Sequence, residues 1–363
     1  MNAPAPPAKI TELDGLRAVS VLFVMLVHAS YGRLSGGFLG VDIFFVISGY
    51  LITYLLISER EATGRISLVD FYMRRVFRIL PPLICAIVLA MLLWQGEGGA
   101  RGPVVAAALF FYANFLPAET LGNLGHTWSL AIEEQFYLVW PLLFTLIFAR
   151  SRALLMAIAV AIIIGSITVR AYLVTRWSDL NPLYTFTPAR LDPIMLGCLL
   201  ALGQGWAERV LRLAPPLVLR VTAWLSAAAL IGALVFAQRD FMQSTPIAFF
   251  LFALTGASLV VSAPMLPSRD WLRRALNTPL MRYIGKRSYG LYLYHYPIFG
   301  ALEAWRVEGD LGNYIVVTLV KIALSFAVTE LSWRIVEQPA LRLKARFSWV
   351  KSRAPPAPHT AGQ

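Results

Sequence analysis

Long apolar stretches alternate with short polar ones over most of the chain. Eleven apolar segments can be drawn, at 13–31, 38–57, 80–95, 104–116, 129–148, 153–175, 190–204, 217–237, 246–266, 288–305 and 313–336. A helix that crosses a bilayer needs about 20 predominantly apolar residues. The 104–116 run (VVAAALFFYANFL) has only 13, so it predicts a short re-entrant or surface helix and leaves ten spans. The expected fold is all-α, a polytopic helical membrane protein with about ten transmembrane helices.

Charge sets the count and the orientation. If 104–116 does not cross and the N-terminus is inside, 23 of the 32 Lys and Arg residues fall in inner segments and 5 in outer loops. Letting 104–116 cross would move every later basic loop outside. Lys and Arg concentrate in cytoplasmic loops of membrane proteins, which favours ten spans with both termini cytoplasmic.

Composition narrows the class further. The 363 residues are 58% hydrophobic and 14% charged, with a mean hydropathy of +0.65, whereas a soluble domain carries about 25% charged residues. A soluble enzyme, a disulfide scaffold and a disordered chain are excluded, and the short loops leave no room for a second globular domain. The net charge of +12 is accounted for by inner loops, so the expected partner is the lipid bilayer and not nucleic acid. Cys85 and Cys198 lie in apolar runs and read as buried small hydrophobes, with no disulfide and no metal site. Residues 1–9 and 347–363 are expected to be disordered tails flanking a membrane domain at 10–346. No cleavage signal follows the first apolar run, which reads as a retained helix.

Ionisable residues inside spans are costly and are functional candidates. Arg17 and His28 in the first span are 11 residues apart. At 100° and 1.5 Å per residue they share one helix face, about 16 Å apart along the axis. Arg17 sits near the inner surface and His28 past the midplane; a snorkelling arginine and a packed histidine are the alternative. Asp42, early in the second span, reaches a depth similar to that of His28 across a short loop. A carboxylate can fix the tautomer of an imidazole and raise its basicity, so the two form a candidate base and orienting pair, or else a structural hydrogen bond.

Further along, Ser67-x-x-Asp70 resembles a capping box, and Pro81-Pro82 is expected to end the helix that it starts. Arg74, Arg75 and Arg78 share an arc of that helix. Guanidinium groups grip phosphate in bidentate fashion, though anchoring to anionic lipid headgroups accounts for them equally. Two adjacent carboxylates, Glu133 and Glu134, cannot both face lipid cheaply, so at least one should face a polar cavity. His126, Trp128 and Tyr137 beside them could line a sugar or alcohol site, or Trp128 could belong to an interfacial aromatic belt. Arg190 and Asp192 are candidates for a structural pair, and His295 lies near mid-membrane among tyrosines.

Six strings carry a resemblance: LDGLRA with His28 ten positions after its end, GVDIFFVISGYLI, RRxxRILP, HTWSLAIEEQFYLxxP, RLDxxxxG and SYxxYLxHxP. Together, and in this order from about residue 10 to 343, they resemble the acyltransferase-3 family of integral membrane acyltransferases. The resemblance implies an O-acyltransferase of the bacterial inner membrane. It would move an acyl group, usually acetyl, from cytoplasmic acyl-CoA to a hydroxyl of an extracytoplasmic carbohydrate or lipid-linked envelope glycan. Acyl-CoA would be a co-substrate, with no tightly bound cofactor.

The resemblance also implies roles. Arg17, Arg74, Arg75 and Arg78 would hold the donor phosphates. His28, oriented by Asp42, would act as general base or as acyl carrier. Glu133, or failing it Glu134, would assist at the acceptor, with His126, Trp128, Tyr137, Arg190, Asp192 and His295 as acceptor-site candidates. Some members carry an additional hydrolase-like domain, which this sequence is expected to lack; a homo-oligomer is compatible with it. A transporter or a structural subunit of an envelope-polysaccharide export system is the competing class, since buried charges along a path also suit transport.

Overall fold

A computed structural model describes residues 10–30, 34–94, 101–177, 181–205 and 215–347. These residues are overwhelmingly helical, with no strand among them. The principal helices are α1 (Thr11–Ala29), α2 (Gly40–Thr63), α3 (Leu68–Leu92), α4 (Arg101–Leu109), α5 (Thr127–Ile147), α6 (Arg152–Val174), α7 (Asp192–Leu202), α8 (Pro216–Phe236), α9 (Ala248–Ser262), α10 (Pro279–Ala301), α11 (Leu311–Ser332) and α12 (Gln338–Lys344). Single-turn helices join several of them. The segment 1–9 and residues 348–363 of the expected tails lie outside the described residues. Phe347, assigned to the second tail by its sequence, stacks on Phe77 with ring centroids 5.7 Å apart.

Local chemistry sets the helix ends. Ser67 caps α3 by accepting from the Asp70 amide at 3.3 Å. The amide of Ser67 itself donates to Glu59 Oε1 at 3.0 Å, so a residue of α2, and not Asp70, completes that cap. Ser151, Thr278 and Asp310 cap α6, α10 and α11 in the same way. Gly64 ends α2 with φ of 74°, a left-handed conformation that suits glycine at a helix C-terminus.

Pro81 and Pro82 do not end their helix. α3 runs unbroken from Leu68 to Leu92 through both prolines, merging the basic arc and the third apolar segment. Contacts with a neighbouring helix hold this stretch in place: Tyr289 and Tyr294 of α10 donate to the carbonyls of Ile79 and Pro82, at 3.0 and 3.2 Å.

Seven of the helical segments are long and apolar enough to cross a membrane, among the described residues. α1, at 19 residues, carries three charged residues, and α10, at 23 residues, is rich in tyrosine and glycine as well as charged, so both fall outside that set; α7 has 11 residues. α4 is nine residues long, about 14 Å, under half the thickness of a bilayer core. It stops before Phe111, whose φ of 58° is unfavourable for a side chain of that size. Gln135 of α5 holds the turn that follows, donating to the Phe111 carbonyl and to Asn114 Oδ1, each at 2.9 Å.

α2 is the centre of the assembly: 72% of its apolar window is buried, against 11% for α8. The outer helices display large apolar side chains such as Leu217, Leu225, Ile231 and Phe236, the surface expected of a helix facing lipid. α2 packs on α7, and α1 on α10. The first contact is a backbone approach. A Cβ on Gly49 would lie 1.9 Å from the Ile194 carbonyl oxygen, and one on Gly197 2.1 Å from that of Val46. Small residues let helices in membranes approach this closely.

Candidate functional site

α1, α2, α3, α5, α10 and α12 enclose a cavity of about 180 Å³. Its basic end is built from Arg17, Arg75, Arg78 and Lys344, and its acidic wall from Glu133 and Glu134. Ser48 donates to Glu133 Oε1 at 3.2 Å, and Tyr137 to Oε2 at 2.9 Å. The guanidinium of Arg75 lies over the Tyr137 ring, 4.8 Å from its centroid. Arg17 reaches Ser288 of α10 through Nε at 3.2 Å. Glu134 Oε1 is buried with no hydrogen-bond partner among the described residues. Four cationic side chains against two carboxylates give the cavity a surplus of positive charge, suited to an anionic ligand.

Tyr292 stands at the inner limit of this cavity. Its hydroxyl donates to the His126 carbonyl at 2.7 Å and lies 2.5 Å from Ser129 Oγ. Ser129 Oγ itself lies 3.5 Å from that carbonyl, so phenol, hydroxyl and carbonyl form one buried hydrogen-bonded cluster. On the far side of Tyr292 three imidazoles gather. His28 Nδ1 and His295 Nε2 are 3.0 Å apart, and the His126 and His295 ring centroids are 5.8 Å apart. Tyr296 stacks on His126 at 4.9 Å and meets His28 edge-on at 5.1 Å. His28 is partly exposed, whereas His295 is completely buried. Neither ring nitrogen of His126 has a hydrogen-bond partner among the described residues. No group of three or more His, Cys, Asp or Glu is placed to hold a metal ion, again among the described residues.

Asp42 does not orient His28. Its Oδ1 accepts from Arg190 Nη2 at 2.8 Å, and both side chains are fully buried. The two helices are neighbours at similar depth, as the short loop requires, but the rotation of α2 is set by its close contact with α7, which turns Asp42 toward Arg190. Arg190 and Asp192 do not pair with each other either. Asp192 takes a bidentate contact from Arg170 of α6, at 2.6 and 2.9 Å. Arg170 also donates to the carbonyls of Pro246 and Ala189. The Arg190 guanidinium lies 3.9 Å from the centroid of the Phe249 ring. These four charges join α2, α6 and α7 and occupy each other, so Arg190 and Asp192 are not placed to meet an acceptor.

Other candidates are also relocated. Arg74 turns away from the cavity to Glu59, at 2.8 Å, and to the Phe347 carbonyl, at 2.7 Å. Successive helical residues differ by 100°, so Arg74 and Arg75 present to different neighbours. Tyr137, Glu133 and Glu134 line the cavity with the arginines, where the sequence suggested an acceptor site. Long basic side chains extend along the helix axis, which closes the separation in depth that backbone positions imply. Trp128 is buried against Phe45 and Tyr184, with centroids 6.3 and 4.6 Å away. His295 has its nitrogens engaged by His28 and by the Leu291 carbonyl, the latter at 3.0 Å.

Sequence reasoning missed Ser48, Ser129, Tyr292, Ser288 and Lys344. Nothing in their local sequence marks the serines. Lys344 reads as one more inner-face charge until α12 folds it against the mouth of the cavity. Tyr292 carried a signal, since it lies one turn before His295 in a helix rich in tyrosine, but its partner Ser129 is 163 positions away.

Comparison with known proteins bears on this arrangement. The family described as an acyltransferase domain matches residues 10–331. O-acetyltransferase OatA of Staphylococcus aureus strain NCTC 8325 / PS 47 is 33% identical over 352 residues, covering 92% of this chain and 57% of the relative. OatA of strain COL gives the same values. The chain thus spans a little over half the length of the curated relatives it matches. No solved structure matches it. With the family covering every helix that lines the cavity except α12, and both helices that carry the paired imidazoles, the chain belongs to the acyltransferase-3 family of membrane acyltransferases.

Proposed function

We propose that the protein is an integral membrane O-acyltransferase of the bacterial inner membrane. It takes an acyl group, acetyl in the first instance, from cytoplasmic acyl-CoA and passes it to a hydroxyl of an extracytoplasmic carbohydrate or envelope glycan. The observation that carries this reading is the spatial order along α1. A cavity lined by four cationic side chains surrounds Arg17, and the imidazole pair lies three helical turns further along the same face, about 16 Å away. A thin acyl-pantetheine arm anchored by its phosphates can span such a distance. The names of the relatives, O-acetyltransferases, agree with the reaction class.

In this scheme Arg17, Arg75, Arg78 and Lys344 hold the donor phosphates by charge-assisted hydrogen bonds. His28 removes the proton from the acceptor hydroxyl as its oxygen bonds to the thioester carbonyl carbon. The tetrahedral intermediate collapses by breaking the C–S bond, and the imidazolium returns its proton to the departing CoA thiolate. A positioned general base contributes about 10²- to 10⁴-fold. Tyr292 lies between the two regions, so its side chain must move aside or flank the arm when the thioester reaches His28.

The test is calorimetric titration of the purified protein with CoA, together with turnover of labelled acetyl-CoA and mass spectrometry of envelope glycans from deletion and complemented strains. Saturable CoA binding and loss of acyl decoration on deletion are expected. Absence of CoA binding by the folded protein would overturn the donor assignment. Polymer export retained while decoration is lost would separate an enzyme from the transporter and structural-subunit readings.

A further inference from the structure

We infer that His295 is a positioning residue for His28, dictating which ring nitrogen of His28 carries hydrogen and so presenting Nε2 as the basic atom. The inference rests on the proposed role of His28 as base. Its starting point is the contact of His295 Nδ1 with the Leu291 carbonyl at 3.0 Å. A carbonyl oxygen has no proton to give, so Nδ1 of His295 is the N–H. In a neutral imidazole one nitrogen donates and the other accepts. His295 Nε2 is therefore a lone pair, and it faces His28 Nδ1 at 3.0 Å. His28 must place its hydrogen on Nδ1 to make that bond, which leaves the lone pair on Nε2. The opposite tautomer of His28 would set two lone pairs against each other inside the protein. The backbone of α10 thus fixes the proton of the first imidazole, and the first imidazole fixes that of the second.

α1 packs on α10, and toward their inner ends the two touch backbone to backbone, since a Cβ on Gly285 would lie 1.7 Å from the Asp14 carbonyl oxygen. Among the described residues, the other polar and charged groups that meet the pair are His126, Tyr292 and Tyr296 by ring contact and Arg239 by its charge. None of these is a carboxylate, and Asp42 is bound to Arg190. A neutral imidazole can take the orienting role that a carboxylate plays in acyl-transfer triads, without burying a net negative charge. When His28 accepts the acceptor proton, its Nδ1–H still has His295 Nε2 to donate to, so the imidazolium forms with that bond already made.

The experiment compares His295→Leu, which removes the acceptor at nearly the same bulk, with His295→Gln, whose Oε1 can replace Nε2. We expect His295→Leu to lower kcat by about 10²-fold, the upper end of the range for losing a partner that orients a metal-bound histidine, with KM for acetyl-CoA unchanged. His295→Gln should recover at least a tenth of the turnover. Full turnover in His295→Leu, or equal losses in the Leu and Gln variants, would overturn the positioning role. Should the Leu variant fail to insert, His295→Asn, whose shorter amide cannot reach His28, takes its place against Gln. The two readings fail separately: turnover by folded His28→Ala removes the base itself, whereas an inactive His28→Ala beside a fully active His295→Leu removes only the positioning.

Discussion

Asp42→Leu should destabilise the protein far more than it disturbs the chemistry. The carboxylate is fully buried and accepts from Arg190 at 2.8 Å, and Arg190 is itself fully buried. Two nitrogens of that guanidinium, Nε and Nη1, already lack hydrogen-bond partners among the described residues. Removing the carboxylate leaves an uncompensated cation at the junction of α2 and α7. Breaking a buried pair in this way costs about 3–5 kcal/mol, roughly two to nearly four decades in the folding equilibrium at 1.4 kcal/mol per decade. No discount for solvent screening applies, because neither group is exposed. Replacing both partners is a different perturbation. Asp42→Leu combined with Arg190→Met removes both charges and supplies apolar volume beside Phe249, and such exchanges are often neutral or stabilising. Thermal unfolding of the detergent-solubilised variants, with turnover normalised to the folded fraction, measures both effects. The single variant should melt much lower, the double variant should recover most of the loss, and folded protein should retain turnover within about tenfold. A normally stable Asp42→Leu with collapsed kcat, not rescued by Arg190→Met, would mean that Asp42 serves the imidazoles after all.

Further outcomes follow from the same geometry. His28→Ala should abolish acyl transfer with insertion and melting temperature intact; the check is turnover of labelled acetyl-CoA by purified protein. Arg75→Glu and Arg78→Glu should each weaken CoA binding by about 10- to 150-fold, corresponding to loss of a charge-assisted contact of about 1.5–3 kcal/mol. Arg74→Gln, which changes a residue directed to Glu59 and Phe347, should leave CoA affinity unchanged in the same calorimetric titration. Gly197→Ala should separate α2 from α7 and lower thermal stability, whereas Gly165→Ala, where a Cβ meets nothing within 4 Å, should not. Cysteines introduced at 150–152 should resist an impermeant thiol reagent applied from outside the cell, as the ten-span topology requires; labelling there would reject it.

The membrane character, the helical class and the approximate place of most spans were legible in the sequence. Apolar run length responds to bilayer thickness and to little else, so 129–148, 153–175 and 217–237 fall within a few residues of α5, α6 and α8. The shortness of 104–116 was legible for the same reason. The third span was not. Proline carries a local penalty that sequence patterns register, while the tyrosines of α10 that tie down α3 at Ile79 and Pro82 are more than 200 positions away.

For the site, residue types and helical periodicity identified most of the important side chains but not their partners. The Arg17–His28 stripe depends on one helix alone, so 100° per residue was enough to define it. Every pairing between helices depended on rotation about the helix axis, which a span pattern leaves free. That rotation is decided by where two backbones can approach: Gly49 on Ile194 and Gly197 on Val46 turn Asp42 to Arg190, and the packing of α1 on α10 brings His28 to His295. The sequence thus specified a membrane helix bundle and the chemical groups inside it. The tertiary structure decided which imidazole, carboxylate and guanidinium face one another, because those contacts join positions up to 267 residues apart, and no local preference can select them.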